Sequence, residues 1–433
     1  MKKIDWSSLW TKEDWWACWI GFVILIVAMI GIMPDVVKFS TWATIDKAFP
    51  KGIATIWDTL ILFVVLAVLT MIGMIFMKKD VKKFIPAFIV IFSLAWISIL
   101  VGKQSIINAW GLEYVIWALI FGLLISNTVG TPAWLKPAVL TEYYIKIGLV
   151  CMGATILFSV IVNAGLVGML QALLVVAAVW FFAYWLGRRF SMSERFSSTM
   201  ATGVSICGVS ASIAAGGAVE GDPKETSYVI AWLLVGAVIM IVIMPPIARA
   251  VNMPTNMAGA WIGGTIDNTG SVVAAGDLMK SKAALDTASL VKMAQNILIG
   301  FAAFFLAIWS TISLEKKSES EKPSFMEIWY RFPKFIVGFV VASLVATFFI
   351  EPVMGGKAAK SITGLMTNYR TWFFALCFVC IGLETNFKEL LSVGSGKPAI
   401  VYWISQFFNV IWTLLIVWLL WSGTFFTPPI LPD

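Results

Sequence analysis

Along the chain, apolar runs of roughly 20 residues alternate with short polar breaks. A run of that length and composition crosses a bilayer as one helix, so the pattern predicts an all-α polytopic membrane protein. The runs fall near 15–33, 53–77, 84–101, 112–127, 142–163, 165–187, 196–219, 226–248, 257–277, 287–312, 333–350, 364–383 and 399–421, thirteen in all. That number falls if a glycine-rich run enters and leaves the membrane on one side.

Two runs are unlike the others. Thr199–Glu220 reads TMATGVSICGVSASIAAGGAVE, with Gly203, Gly208, Gly216 and Gly217 loosening the backbone and Thr202, Ser205, Ser210 and Ser212 adding hydroxyls. Ala258–Leu278 has the same character, with Gly259, Gly263, Gly264, Gly270 and Gly276, Thr265, Thr269 and Ser271, and it adds Asp267 and Asn268 at its centre. Unwound backbone at membrane depth is tolerated only where it is buried in protein or lines a watery cavity. Interrupted hydrophobic segments also point to the binding site of a transporter. Both runs are therefore read as broken helices that meet at a binding site. The competing reading is close helix packing through small residues. An ionisable residue inside the membrane is a functional hypothesis in itself, which singles out Asp267. Downstream, Lys292 stands with Gln295 and Asn296 in an apolar helix. It pairs with Asp267, meets an anionic substrate or snorkels to the interface.

Lys and Arg in short loops set orientation. Lys78, Lys79, Lys82 and Lys83 cluster in one loop, and Arg188, Arg189 and Arg195 in another. If every run crosses, both clusters lie inside with the N-terminus, and the acidic turn Glu220–Glu225 lies outside with the C-terminus. On that count the two glycine-rich runs cross in the same sense. Broken helices related by inversion should run oppositely, so whether 257–277 spans or is re-entrant stays open. A faint internal echo sets Ile147–Ser159 over Leu376–Lys388, with Cys151 over Cys380 and Gly153 over Gly382.

Composition agrees with the pattern. Sixty per cent of the residues are hydrophobic and 13% charged, against about 25% charged in soluble domains. The 22 Trp suit interfacial belts. The net charge of +7 belongs to cytoplasmic loops, and no basic stripe suggests nucleic acid. The chain has no His, which removes the commonest metal ligand, so no metal site is expected. Cys18, Cys151, Cys207, Cys377 and Cys380 all fall in apolar segments and imply no disulfide framework. No nucleophile stands with a base, so an enzyme is not expected. The N-terminal stretch lacks a small-residue cleavage site, and the first run is read as retained.

From about Leu112 onward the chain resembles the YeiH family, bacterial inner-membrane proteins held to export sulfate. Gly122-LLIS-Asn127, Lys146-IGLVCMG-Ala154, Gly203-VSICGVSASIAA-Gly216, Trp261-IGGTIDNTGSVVAA-Gly276 and Val291-KMAQ-Asn296 follow the family's motifs in order. The third is the specific one. The chain departs where the family's His-Glu pair is Asp267-Asn268, where the following Gln is Ser271, and where an Arg is Gln295. The family in turn resembles the bile-acid/sodium symporter and sodium/proton antiporter group. That implies an inverted-repeat bundle with two discontinuous helices crossing at mid-membrane.

These readings give four expected segments: extra N-terminal spans over 1–110, a transporter region over 111–312, a cytoplasmic linker over 313–332 and C-terminal spans over 333–433. The expected function is secondary active transport of a small anion of the sulfate, sulfite or sulfonate class. Coupling is to Na⁺ or H⁺, in a bacterial inner membrane with the N-terminus cytoplasmic. A passive anion channel, or a carrier for another small carboxylate solute, is the alternative. Ser205, Cys207, Gly208, Ser210, Ser212, Thr265, Asn268, Ser271 and Lys292 are the expected substrate contacts, and Asp267 and Asn127 the ion-coupling residues. No cofactor is expected beyond Na⁺ as a candidate coupling ion. The expected partners are the anionic solute and the lipid bilayer, with a homodimer as a candidate assembly.

Overall fold

The computed structural model describes residues 7–109, 113–311, 326–387, 396–425, 429 and 431. The Glu/Lys/Ser run from Leu314 to Lys322, expected to be a solvated linker, lies outside the described residues. In chain order the main helices are α1 Glu13–Ile30, α2 Ala54–Phe76, α3 Phe84–Gly102, α4 Tyr114–Thr128, α5 Thr141–Gly153, α6 Phe158–Arg189, α7 Glu194–Thr202, α8 Gly208–Ala218, α9 Pro223–Ala250, α10 Thr255–Thr265, α11 Thr269–Asp277, α12 Lys282–Trp309, α13 Lys334–Val345, α14 Glu351–Glu384 and α15 Lys397–Trp421.

Among the described residues nine helical runs are long and apolar enough to cross a membrane. The protein is thus all-α and polytopic, with fewer long runs than the thirteen expected. The 112–127 and 142–163 runs give the shorter helices α4 and α5. The 257–277 run is split into α10 and α11. The 333–350 and 364–383 runs join into one run broken at Gly355, where φ is 80° and ψ 158°.

The chain forms two compact units. The first comprises Met1–Ile161 and Lys334–Glu384. Small residues bring its helices together: Gly21 packs on Val150, Gly148 on Phe374, and Gly122 and Gly382 face each other backbone to backbone. That is the usual route to close packing where lipid offers no hydrophobic drive. The Ser126 hydroxyl donates to the Gly382 carbonyl at 2.9 Å across the same contact. Lys146 lies among Asp14 at 2.9 Å, Glu13 at 3.3 Å and Glu142 at 3.6 Å, tying α5 to α1. The two echo segments lie largely on α5 and α14 of this unit.

The second unit comprises Val162–Pro333 and Thr385–Asp433 and contains both glycine-rich runs. Its helix starts are written locally. Ser193, Asp222, Asn268 and Ser281 each accept a first-turn amide, opening α7, α9, α11 and α12. Neither glycine-rich run is a straight rod. A straight helix would set Arg195 and Glu220 about 38 Å apart, yet the Arg195 guanidinium donates to the Glu220 carbonyl at 2.7 Å. Glu194–Ala218 therefore turns back on itself as a first hairpin.

Helix α12 locates both hairpins. Ala215, Ala218 and Val219, near the open end of the first, share a core with Ala303 and Leu306. Nearer its tip, Ile206, Cys207 and Ala211 pack with Ile299. The second run is also a hairpin, because its start and its end lie on one turn of α12. Gly259 packs on Ala284 and Thr287, and Gly276 packs on Leu285 and Ala288. Thr287 also donates to Asn256 at 3.3 Å. The first hairpin thus lies along the C-terminal half of α12 and the second along the N-terminal half, tips facing. This resolves the conflict of direction. It also corrects the expectation that Glu220–Glu225 lies across the membrane from the arginine cluster: that turn folds back beside Arg195.

Candidate functional site

The first tip is made where the helical ladder fails. Gly203–Cys207 is a π-helical turn, and Cys207 leaves the helical region with φ −155° and ψ 87°. Single π turns of this kind recur at functional sites. Gly203 has no Cβ because the Ser212 hydroxyl of the returning strand occupies that space. At the second tip Ile266, with ψ 131°, and Asn268, with ψ 136°, are extended, so α10 and α11 are joined by unwound chain. The tips touch: the Gly208 amide donates to the Asp267 carbonyl at 2.8 Å. Cys207 Sγ also lies 3.3 Å from Thr269 Oγ1.

Breaking a helix frees carbonyls at its C-terminal side, and each unsatisfied group costs several kcal/mol at membrane depth. Side chains from two other helices cap them. Lys292 on α12 donates to Ile206 O at 2.9 Å and to Gln295 Oε1 at 2.5 Å. Gln295 Nε2 donates to Gly264 O at 3.0 Å. From α15, Gln406 and Asn409 each donate to Thr265 O at 3.0 Å, and Asn409 reaches Val204 O at 3.4 Å. Tyr402 donates to Asp267 Oδ2 at 3.1 Å, its hydroxyl filling the space left by the missing Cβ of Gly236.

All nine substrate-site candidates and Asp267 fall in this unit, at or beside the tips. Ser205 is buried and donates weakly to Thr202 O at 3.5 Å. Ser210, in the first turn of α8, is half-buried. Ser212 supports the first tip beneath Gly203. Asn268 caps α11 by accepting from the Ser271 amide at 3.2 Å. Asp267 and Lys292 are each 1% exposed, so both are buried and Lys292 does not snorkel to the interface. Asn127 lies in the other compact unit, donating to Leu123 O and Ser126 Oγ at 2.9 Å.

The site contains residues that sequence reasoning missed. Tyr402, Gln406, Asn409 and Thr413 recur at helical spacing and form one polar stripe on the otherwise apolar α15. Gln171 on α6 is also buried, donating to Ala260 O at 2.8 Å. Among the described residues no three His, Cys, Asp or Glu side chains form a group able to hold a metal ion. Asp267 Oδ1, Thr265 Oγ1 and Gln406 Oε1 are buried oxygens without a hydrogen-bond partner among the described residues.

The family model described as conserved hypothetical protein 698 matches residues 86–402. A membrane protein of Rhodopirellula baltica named UPF0324 is 40% identical over 380 residues, covering 86% of this chain and 70% of the relative. One of Nitratidesulfovibrio vulgaris is 38% identical over 392 residues, covering 88% and 66%. One of Nitrosomonas europaea is 28% identical, covering 93% of each chain. The chain thus spans about two thirds of the length of the first two relatives.

Proposed function

This chain belongs to the family described as conserved hypothetical protein 698, the YeiH family, and from that premise we propose that it is a secondary active transporter of a small anion. The solute is of the sulfate, sulfite or sulfonate class, its movement is coupled to Na⁺ or H⁺, and alternating access occurs around the two hairpin tips in a bacterial inner membrane.

One observation carries this reading. The carbonyl ends of the broken helices are occupied by Lys292, Gln295, Gln406 and Asn409. Among the described residues the amino end of α8 has no side-chain cap, and its first turn holds the half-buried Val209 and Ser210. The Gly208 amide is taken by the Asp267 carbonyl, so what the first tip offers a solute is the amides and hydroxyls that follow it and a positive dipole end, which suit an oxyanion. Lys292 uses two of its three protons on protein acceptors and keeps one for that anion.

Reconstituted full-length protein tests the reading. Under an imposed Na⁺ or H⁺ gradient, vesicles should accumulate radiolabelled sulfate, sulfite or a sulfonate above the outside concentration. Equilibration without accumulation would mean a channel. No flux of any of these or of small carboxylates would end the proposal.

A further inference from the structure

We infer that the carbonyl end of α10 holds a Na⁺ ion, bound by Asp267, Thr265 and Gln406, at a position separate from the anion at the amino end of α8. The inference rests on the transport reading and names its coupling ion. Among the described residues Asp267 Oδ1, Thr265 Oγ1 and Gln406 Oε1 have no hydrogen-bond partner, and their residues are 1%, 1% and 2% exposed. Helix α15 gathers their residues. Tyr402 grips Asp267 and Gln406 grips the Thr265 carbonyl, and these two residues are one helical turn apart on α15.

The orientation of Gln406 is fixed by chemistry. A carbonyl can only accept, so the amide nitrogen must face Thr265 O, and Oε1 is the atom left over. All three loose atoms are thus oxygens able to accept, and one belongs to a carboxylate. Proton binding would serve the carboxylate alone and leave the other two oxygens unsatisfied. A hard cation takes oxygen ligands, satisfies all three and balances the carboxylate. A single carboxylate suits a monovalent ion. The C-terminal dipole end of α10 adds negative potential at the same place. Lys292 does not take this role: its ammonium is held by Ile206 O and Gln295 Oε1, and among the described residues it makes no direct ion pair with Asp267.

The test uses purified full-length protein in nanodiscs. Its thermal midpoint is followed as NaCl replaces choline chloride at constant chloride. A saturable rise with Na⁺ is expected, since a ligand that binds the folded state raises its stability by mass action. Thr265→Val should raise the half-saturating Na⁺ concentration at least about tenfold. Thr265→Ser should restore it, and Asp267→Asn should abolish the response. A wild-type midpoint indifferent to Na⁺, or a Thr265→Val protein that titrates like wild type, would overturn the inference. Titrating the same preparations with choline sulfate separates this from the transport reading. An anion response without a Na⁺ response removes the ion site and spares anion binding. A Na⁺ response without any anion response keeps the ion site and counts against the anion carrier.

Discussion

Each compact unit sets a lysine, Lys146 in one and Lys292 in the other, among oxygen acceptors, and the two are used differently. Lys146, in the first unit, lies among Asp14, Glu13 and Glu142, and Lys79 bonds Glu13 from the other side at 2.9 Å. Lys292, in the second, faces a backbone carbonyl and an amide oxygen. The first neutralises charge and fastens the N-terminal helix to α5. The second repairs a helix broken on purpose. Where carboxylates surround a cation the chemistry is spent on cohesion; where a cation caps an interrupted backbone, capacity is left over for a ligand.

Four substitutions sharpen or break that contrast, in falling order of effect on stability. Lys146→Met leaves three partly exposed carboxylates around a missing cation, with Lys79 still on Glu13, and should cost about 2–4 kcal/mol, toward the low side of a fully buried cluster. Its thermal midpoint should drop steeply, while the anion affinity of the protein that still folds stays at the wild-type value. Lys292→Met strands the Ile206 carbonyl at a cost of roughly 2 kcal/mol. Unlike the first, it should also weaken anion binding at least tenfold by calorimetry; unchanged affinity would make both lysines structural. Tyr402→Phe removes one hydrogen bond to a carboxylate, about 1.5 kcal/mol, and should lower the Na⁺-dependent midpoint more than the choline one. Ser210→Ala, in the half-buried first turn of α8, should stay within about 0.5 kcal/mol of wild type in stability. It should nevertheless raise the half-saturating anion concentration several-fold, and no change there would remove α8 from the site.

Much of the second unit was legible in the chain. Glycines and hydroxyls concentrated in a run of membrane length fit either a broken helix or close packing through small residues, and these runs do both: they break where Cys207–Gly208 and Ile266–Asn268 stand, and Gly259, Gly263 and Gly276 pack on α12. The reversal of direction was legible only as an alternative the sequence left open, re-entry of a glycine-rich run. A run of about 25 residues is long enough to cross, and loop charges assume that it does; only the bond from Arg195 to Glu220 and the packing along α12 show the turn. The α15 stripe was readable but overlooked. Tyr402, Gln406 and Asn409 are diluted by aromatic neighbours when counted by density, and stand out only when the helix is read face by face. The partner of Lys292 could not be read, because Ile206 lies 86 positions away and its carbonyl is free only once the π turn has formed.

Helix α12 also sets a register. One rod seats the second hairpin near Ala288 and the first near Ala303, so its residue count between these points gauges how far apart the tips stand. Adding a single residue there would advance one seat by about 1.5 Å and swing it about 100° around the axis. The two loops would no longer share a meeting point, although each could still fold. Insertions and deletions in that interval are therefore the lesions this architecture is least equipped to absorb.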